Sequence, residues 1–79
     1  MIFRAVIRPK DGILDPQGTA VGESLRKLGH PVEDARVGRV VHLDVAIEDE
    51  EAARLRVERM CEELLANPLI ETYEVERVS

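Results

Sequence analysis

With 79 residues the chain has room for one domain, and its core is marginal, since a domain of this size buries only ~60–65% of its unfolded surface. Hydrophobic residues make up 44% and charged residues 34%, a globular rather than a disordered composition. The formal net charge of -5, with Phe3 and Tyr73 as the only aromatic residues, excludes a basic groove with stacking rings, so no nucleic acid partner is expected.

Residues Ile2 to Pro9 alternate as a strand does, with Phe3, Ala5 and Ile7 on one face. The other face mixes Ile2 and Val6 with Arg4 and Arg8. A loop with the turn signal Asp11-Gly12 leads into a helix start. There Asp15 suits the N-cap and Pro16 the first helical position, where its missing N–H is no loss. The helix is predicted over Pro16 to Leu28, with Val21, Leu25 and Leu28 as its buried stripe. Gly29 suits the left-handed position that closes it, and Pro31 prevents continuation. Gly18 and Gly22 each cost ~1 kcal/mol relative to alanine in a helix interior. Two such costs on one side of a short helix imply a tight contact, with the sheet or with a neighbouring chain.

Ala35 to Ile47 reads as one extended segment with Val41, Leu43, Val45 and Ile47 facing the core. Arg39 breaks the alternation directly after Gly38, which predicts a bulge or bend in a long strand. Glu48 to Glu51 opens a second helix, its acids matched to the macrodipole. Ala53, Val57, Met60, Cys61 and Leu64 form its expected buried stripe, with Glu50–Arg54, Arg54–Glu58 and Arg59–Glu63 paired on the wet side. Asn67 suits a left-handed cap before Pro68. A last strand spans Leu69 to Val78, with Tyr73 and Val75 on its inner face.

The expected fold is a two-layer α+β domain over residues 1–79 in the order β-α-β-α-β. It has a long bent central strand and both helices on one face of a small sheet. The uncovered face, carrying Ile2, Val6 and Val40, is the natural place for a homodimer contact, and oligomerisation offsets a small core.

No catalytic constellation is evident. The glycines match neither a P-loop nor a dinucleotide fingerprint. His30 and His42 lack a second histidine at ligand spacing, so no metal site is expected. Cys61, the only cysteine, permits no internal disulfide and falls on an apolar stripe, where it reads as a filler. Ser24 and Thr19 have no nearby base, and Glu48 to Glu51 is a helix start rather than an acid pair. No apolar run reaches membrane length and Met1 to Arg4 has no signal-peptide layout, so a cytoplasmic protein without a membrane partner is expected.

The stretch Ile13-Leu14-Asp15-Pro16-Gln17-Gly18 resembles the signature of the PurS family, the small subunit of phosphoribosylformylglycinamidine synthase. Asp34-Ala35-Arg36-Val37-Gly38-Arg39, Met60 to Asn67 and Ile70 to Val75 agree in the family's order and spacing. Arg39 stands where the family often has lysine, and Ala35 is smaller than the usual valine. The resemblance implies a dimeric, non-catalytic subunit of an ATP-dependent, glutamine-using ligase of purine biosynthesis. Its partners would be a glutamine amidotransferase subunit and a large synthetase subunit, the latter holding ATP and magnesium, with no cofactor in this chain. Asp15, Pro16, Gln17, Gly18, Arg36, Gly38 and Arg39 are then expected to dock partners. An ACT-like, small-molecule-sensing dimer is the alternative, because Gly12 to Gly18 also suits a ligand-binding loop–helix junction.

Overall fold

Alternation in the first segment produces β1, Ile2–Pro9, with Phe3, Ala5 and Ile7 fully buried. In the computed structural model, which describes residues 1–79, β1 is followed by α1 (Pro16–Lys27), β2 (Arg39–Asp44), α2 (Glu50–Met60) and β3 (Glu71–Arg77). The sheet has the order β2-β1-β3, antiparallel throughout. Ile7 lies opposite Arg39 on one side and Tyr73 on the other. The α+β class and the β-α-β-α-β order agree with the sequence.

The core is small. Phe3, Ala5, Val45, Ala53, Val57 and Cys61 form one buried cluster between the sheet and α2, with Leu43, Met60, Tyr73 and Val75 packed around it. Arg54 holds this layer from its edge: Nη1 donates to the Val75 carbonyl at 2.8 Å, and the guanidinium sits 5.7 Å from the Phe3 ring centroid. Arg54 retains Glu50 at 3.9 Å, while the expected Arg54–Glu58 bridge is absent because the side chain turns toward the sheet.

Three details depart from the sequence expectation. The long bent strand is shorter than expected: β2 starts only at Arg39, and β1, not β2, occupies the centre of the sheet. Upstream of Gly38 the backbone leaves the ladder, and the Val37 N–H goes to the Asp15 carboxylate instead. No bulge follows Gly38, for the register runs unbroken from Ile7 opposite Arg39 to Ile2 opposite Asp44. Arg39 thus keeps the alternation and stands at the end of the core-facing row. The second departure concerns α1. Only α2 covers the sheet, and no α1 residue belongs to the core cluster. Its buried residues are Gly18 and Gly22, which meet Ala35, while Val21 and Leu28 remain 43% and 75% exposed. The chain is accordingly elongated, 49 × 26 × 14 Å, with a radius of gyration of 15.6 Å. A compact chain of this length would have about 12 Å.

The third departure is at the end of α2, which runs into a π-helical turn, Cys61–Leu65, closed by the Ala66 N–H on the Cys61 carbonyl at 3.0 Å. The wider turn shifts the helical phase, so Leu64 points outward, 83% exposed, and Leu65 takes the half-buried place. Asn67 does not adopt the left-handed conformation. Its side-chain oxygen accepts from the Leu69 N–H at 3.1 Å, forming a local turn before β3.

The two α1 glycines separate cleanly. A methyl on Gly18 would collide with the Ala35 carbonyl and lie 2.6 Å from an Asp15 carboxylate oxygen. A methyl on Gly22 would meet the movable end of Arg26 at 3.3 Å and the Ala35 methyl at 3.5 Å. Gly18→Ala should therefore destabilise the fold by ~1–3 kcal/mol despite alanine's better helix propensity. Gly22→Ala should stabilise it by up to ~1 kcal/mol. Urea unfolding of both variants checks the pair, and equal midpoints would refute the assignment.

Candidate docking site

The first helical turn builds the site. Asp15 caps α1 with Oδ1, which accepts the Gly18 N–H at 3.0 Å. Oδ2 accepts the Val37 N–H at 2.8 Å. One carboxylate therefore ties the helix start to the segment entering β2. The hydrogen bonds from Gly18 and then Val37, with the nearby Arg36 charge, hold its pKa below the ordinary carboxylate value. Pro16 is the first helical residue and Gly12, at φ 81°, makes the turn before it.

Arg36 braces the same junction from the other side. Its Nη1 donates to the Lys10 carbonyl at 3.1 Å and lies 3.3 Å from Asp11, and Nε reaches Asp34 at 3.4 Å. Gly38 is close-packed too, because a methyl there would collide with the Ile7 carbonyl. Arg39 forms a two-pronged pair with Glu71, Nη1 on Oε2 and Nη2 on Oε1, and Nη2 also donates to the Leu65 carbonyl. Arg39 first, then the Asn67 N–H, hold the Glu71 carboxyl below its ordinary value.

These contacts leave a cleft of about 220 Å³ at one end of the sheet. Of the seven expected docking residues, Asp15, Gln17, Gly38 and Arg39 line it. Pro16, Gly18 and Arg36 do not: Gly18 and Arg36 act behind it as supports, inside the chain. Pro9, Ile13, Leu14, Val37, Ile70 and Glu71 complete the lining and were not among the seven expected residues. Leu14 is 82% exposed, and Leu69 beside Ile70 is 81% exposed. The readable signal was two pairs of large apolar residues, Ile13-Leu14 and Leu69-Ile70, in connections that need none for their turns. Glu71 gave no such signal, because its pairing with Arg39 depends on the strand register.

The cleft offers an apolar rim around charges already satisfied within the chain, which suits a protein surface rather than bond-making chemistry. Cys61 lies fully buried in the core, where burial raises its thiol pKa and keeps it protonated. No grouping of three His, Cys, Asp or Glu side chains could hold a metal ion. No helix is long and apolar enough to cross a membrane.

Residues 3–79 match the family model PurS, described as phosphoribosylformylglycinamidine (FGAM) synthase. The PurS subunit of that synthase from Bacillus subtilis is 43% identical over 72 residues, covering 87% of this chain and 84% of its own. The PurS subunit from Thermotoga maritima is 39% identical over 74 residues, covering 92% and 90%. A chain in the solved structure of PurLQS from Thermotoga maritima superposes with a TM-score of 0.85 at 37% identity, covering 99% of each chain. These similarities favour the PurS reading over the ACT-like one.

The two depressed carboxylates make an acid-labile junction. A group whose pKa is lower in the folded state stabilises the fold fully above its unfolded value, near pH 4 for a carboxyl, to about the extent of the shift. That contribution disappears as the pH falls through the folded value. Thermal unfolding should therefore show wild type losing stability below about pH 4 more steeply than Asp15→Asn or Glu71→Gln, both less stable at neutral pH. Parallel acid limbs for all three proteins would contradict it.

Proposed function

The chain belongs to the PurS family, and from that membership we propose that it is the small, non-catalytic subunit of phosphoribosylformylglycinamidine synthase. The observation that carries this reading is the match along 99% of both chains to a component of PurLQS. In this role it bridges a glutamine amidotransferase subunit and a large synthetase subunit. Together they convert formylglycinamide ribonucleotide to formylglycinamidine ribonucleotide in the cytoplasm. ATP and magnesium act in the synthetase subunit, where ammonia released from glutamine is consumed. The contribution of this chain is positional: it holds two active sites in register so that ammonia passes between them rather than into water. The cleft between the α1 start and β3 is the docking element, with Leu14 and Gln17 offered to the partner and Asp15, Gly18 and Arg36 keeping that edge rigid.

The chain also pairs with itself. Exposed Val21 and Leu28, with half-buried Leu25 between them, form an apolar stripe on α1 outside the chain's own core, and a second copy supplies the cover. The open sheet face is the weaker candidate, because Arg4–Glu76 at 2.8 Å and Arg8–Glu74 at 3.1 Å already pair its charges across strands.

Sedimentation at micromolar concentration should find a homodimer or larger assembly. Leu25→Asp should dissociate it and Val6→Asp should not; the reverse pattern would place the contact on the sheet. In a complex reconstituted with wild-type partner subunits, glutamine-driven product formation should require this chain. Leu14→Asp should lower that rate about tenfold while product formation from ammonium changes little. Equal glutamine-driven rates with and without the chain would overturn the proposal.

A further inference from the structure

The end of the sheet away from the cleft carries a shallow apolar cup of about 420 Å³, lined by Met1, Val45, Ala46, Ile47 and Glu48. Glu48 is exposed and has no ion-pair partner in the chain. At the other extreme of the molecule stands Leu28, 75% exposed at the end of α1. Lys27 beside it is exposed and likewise unpaired, while the neighbouring Arg26 spends Nη1 on the Val32 carbonyl. About 26 Å of β1 and about 18 Å of α1, set end to end, account for most of the 49 Å length. The cup and the Leu28 tip are therefore too far apart to meet within one chain.

We propose that the cup seats Leu28 of a second copy, with Lys27 of that copy paired to Glu48. The proposal rests on the self-pairing described above and goes beyond it by naming the surface that receives α1. Laid antiparallel about a two-fold axis, two copies bring each arm alongside the other's sheet. Each tip then reaches the other's cup, and the contact closes as a dimer. Along that path α2 lies over β1 and β3, and Val41 and Leu43 on the inner face of β2 are only half-buried. They leave apolar surface for the Val21–Leu25–Leu28 stripe. Charge selects the same match, since the one charged residue lining the cup is an unpaired acid and the free charge at the tip is basic. A tip-to-tip dimer would set Lys27 against Lys27, and a cup-to-cup dimer would set Glu48 against Glu48. Pairing tip to cup removes both repulsions and breaks no ion pair that the single chain already has.

The test is sedimentation of the full chain over a concentration series at low salt. Lys27→Glu and Glu48→Lys should keep the fold, because both side chains are exposed and unpaired. Each should weaken the dimer about tenfold, since one substitution acts at both symmetric contacts. Both changes in one chain should recover most of the loss, and high salt should narrow the differences. A second measurement is disulfide trapping, in which buried Cys61 takes no part. Leu28→Cys combined with Ala46→Cys should give a covalent dimer on oxidation, as should a mixture of the two single variants, whereas neither single variant alone should. Wild-type dimer strength in both charge variants, a double reversal that recovers nothing, or no trapped dimer would overturn the proposal, leaving self-pairing through α1 to stand or fall on Leu25→Asp. A covalent dimer from Leu28→Cys alone would make the contact tip to tip and also overturn it. A wild-type chain that stays monomeric would remove both readings.

Discussion

The architecture depends on one carboxylate. Asp15 takes the Gly18 N–H with one oxygen and the Val37 N–H with the other, so two segments 22 residues apart meet at a single side chain. Both donors are backbone groups that would otherwise lack partners. One belongs to the first turn of α1, the other to a segment that has left the sheet ladder. An asparagine could satisfy one donor but would turn its own NH₂ toward the second. Gly18 completes the lock from the opposite direction, since only a residue without Cβ lets the Ala35 carbonyl approach the helix. Together, Asp15 and Gly18 fix where α1 stands.

A second constraint closes the end of the sheet. Pro9 is the last residue of β1, and the ladder gives way to the Lys10 N–H on the Ile70 carbonyl at 2.9 Å. Arg39 on β2 then reaches Glu71 on β3 across the end of the central strand. It also satisfies the Leu65 carbonyl left at the end of the π-helical turn. An ion pair with Arg39 half-exposed adds little to stability by itself. Its value is geometric, because it ties both edge strands and the end of α2 to one guanidinium. The cleft lies beside this tie and is lined by Gly38, Arg39 and Glu71.

Much of this was legible in the sequence wherever the information is local. The Asp15 cap, the Pro16 start, Gly29 at φ 96° and the inward rows of β1 and α2 follow from neighbours a few residues apart. Long-range effects were not legible. That the Val37 N–H would serve Asp15 rather than a neighbouring strand cannot be read from the residues around Val37, and it shortened the expected long strand. Arg39 looked like a register fault because its partner, Glu71, lies 32 residues away. The phase change that turned Leu64 outward came from a wider helical turn, which has no composition signal of its own. The lining of the cleft was half legible for the same reason. Asp15 and Gln17 belong to one local motif, whereas Ile70 and Glu71 join them only through the pairing of β1 with β3.

The glycines and the uncovered helix have a common cause. A helix that packs through glycine against a backbone carbonyl buries almost none of its own apolar surface, so α1 is held by hydrogen bonds and close approach rather than by a core. Its Val21–Leu25–Leu28 stripe is then free for another molecule, and it stands on an arm that extends a 79-residue chain to 49 Å. A packed two-helix layer would have enlarged the core but removed both the reach and the stripe. For a member of a family of enzyme-complex subunits, apolar surface left uncovered within one chain is surface available for assembly. The locks at Asp15 and Arg39 are what keep that surface rigid enough for a partner to recognise.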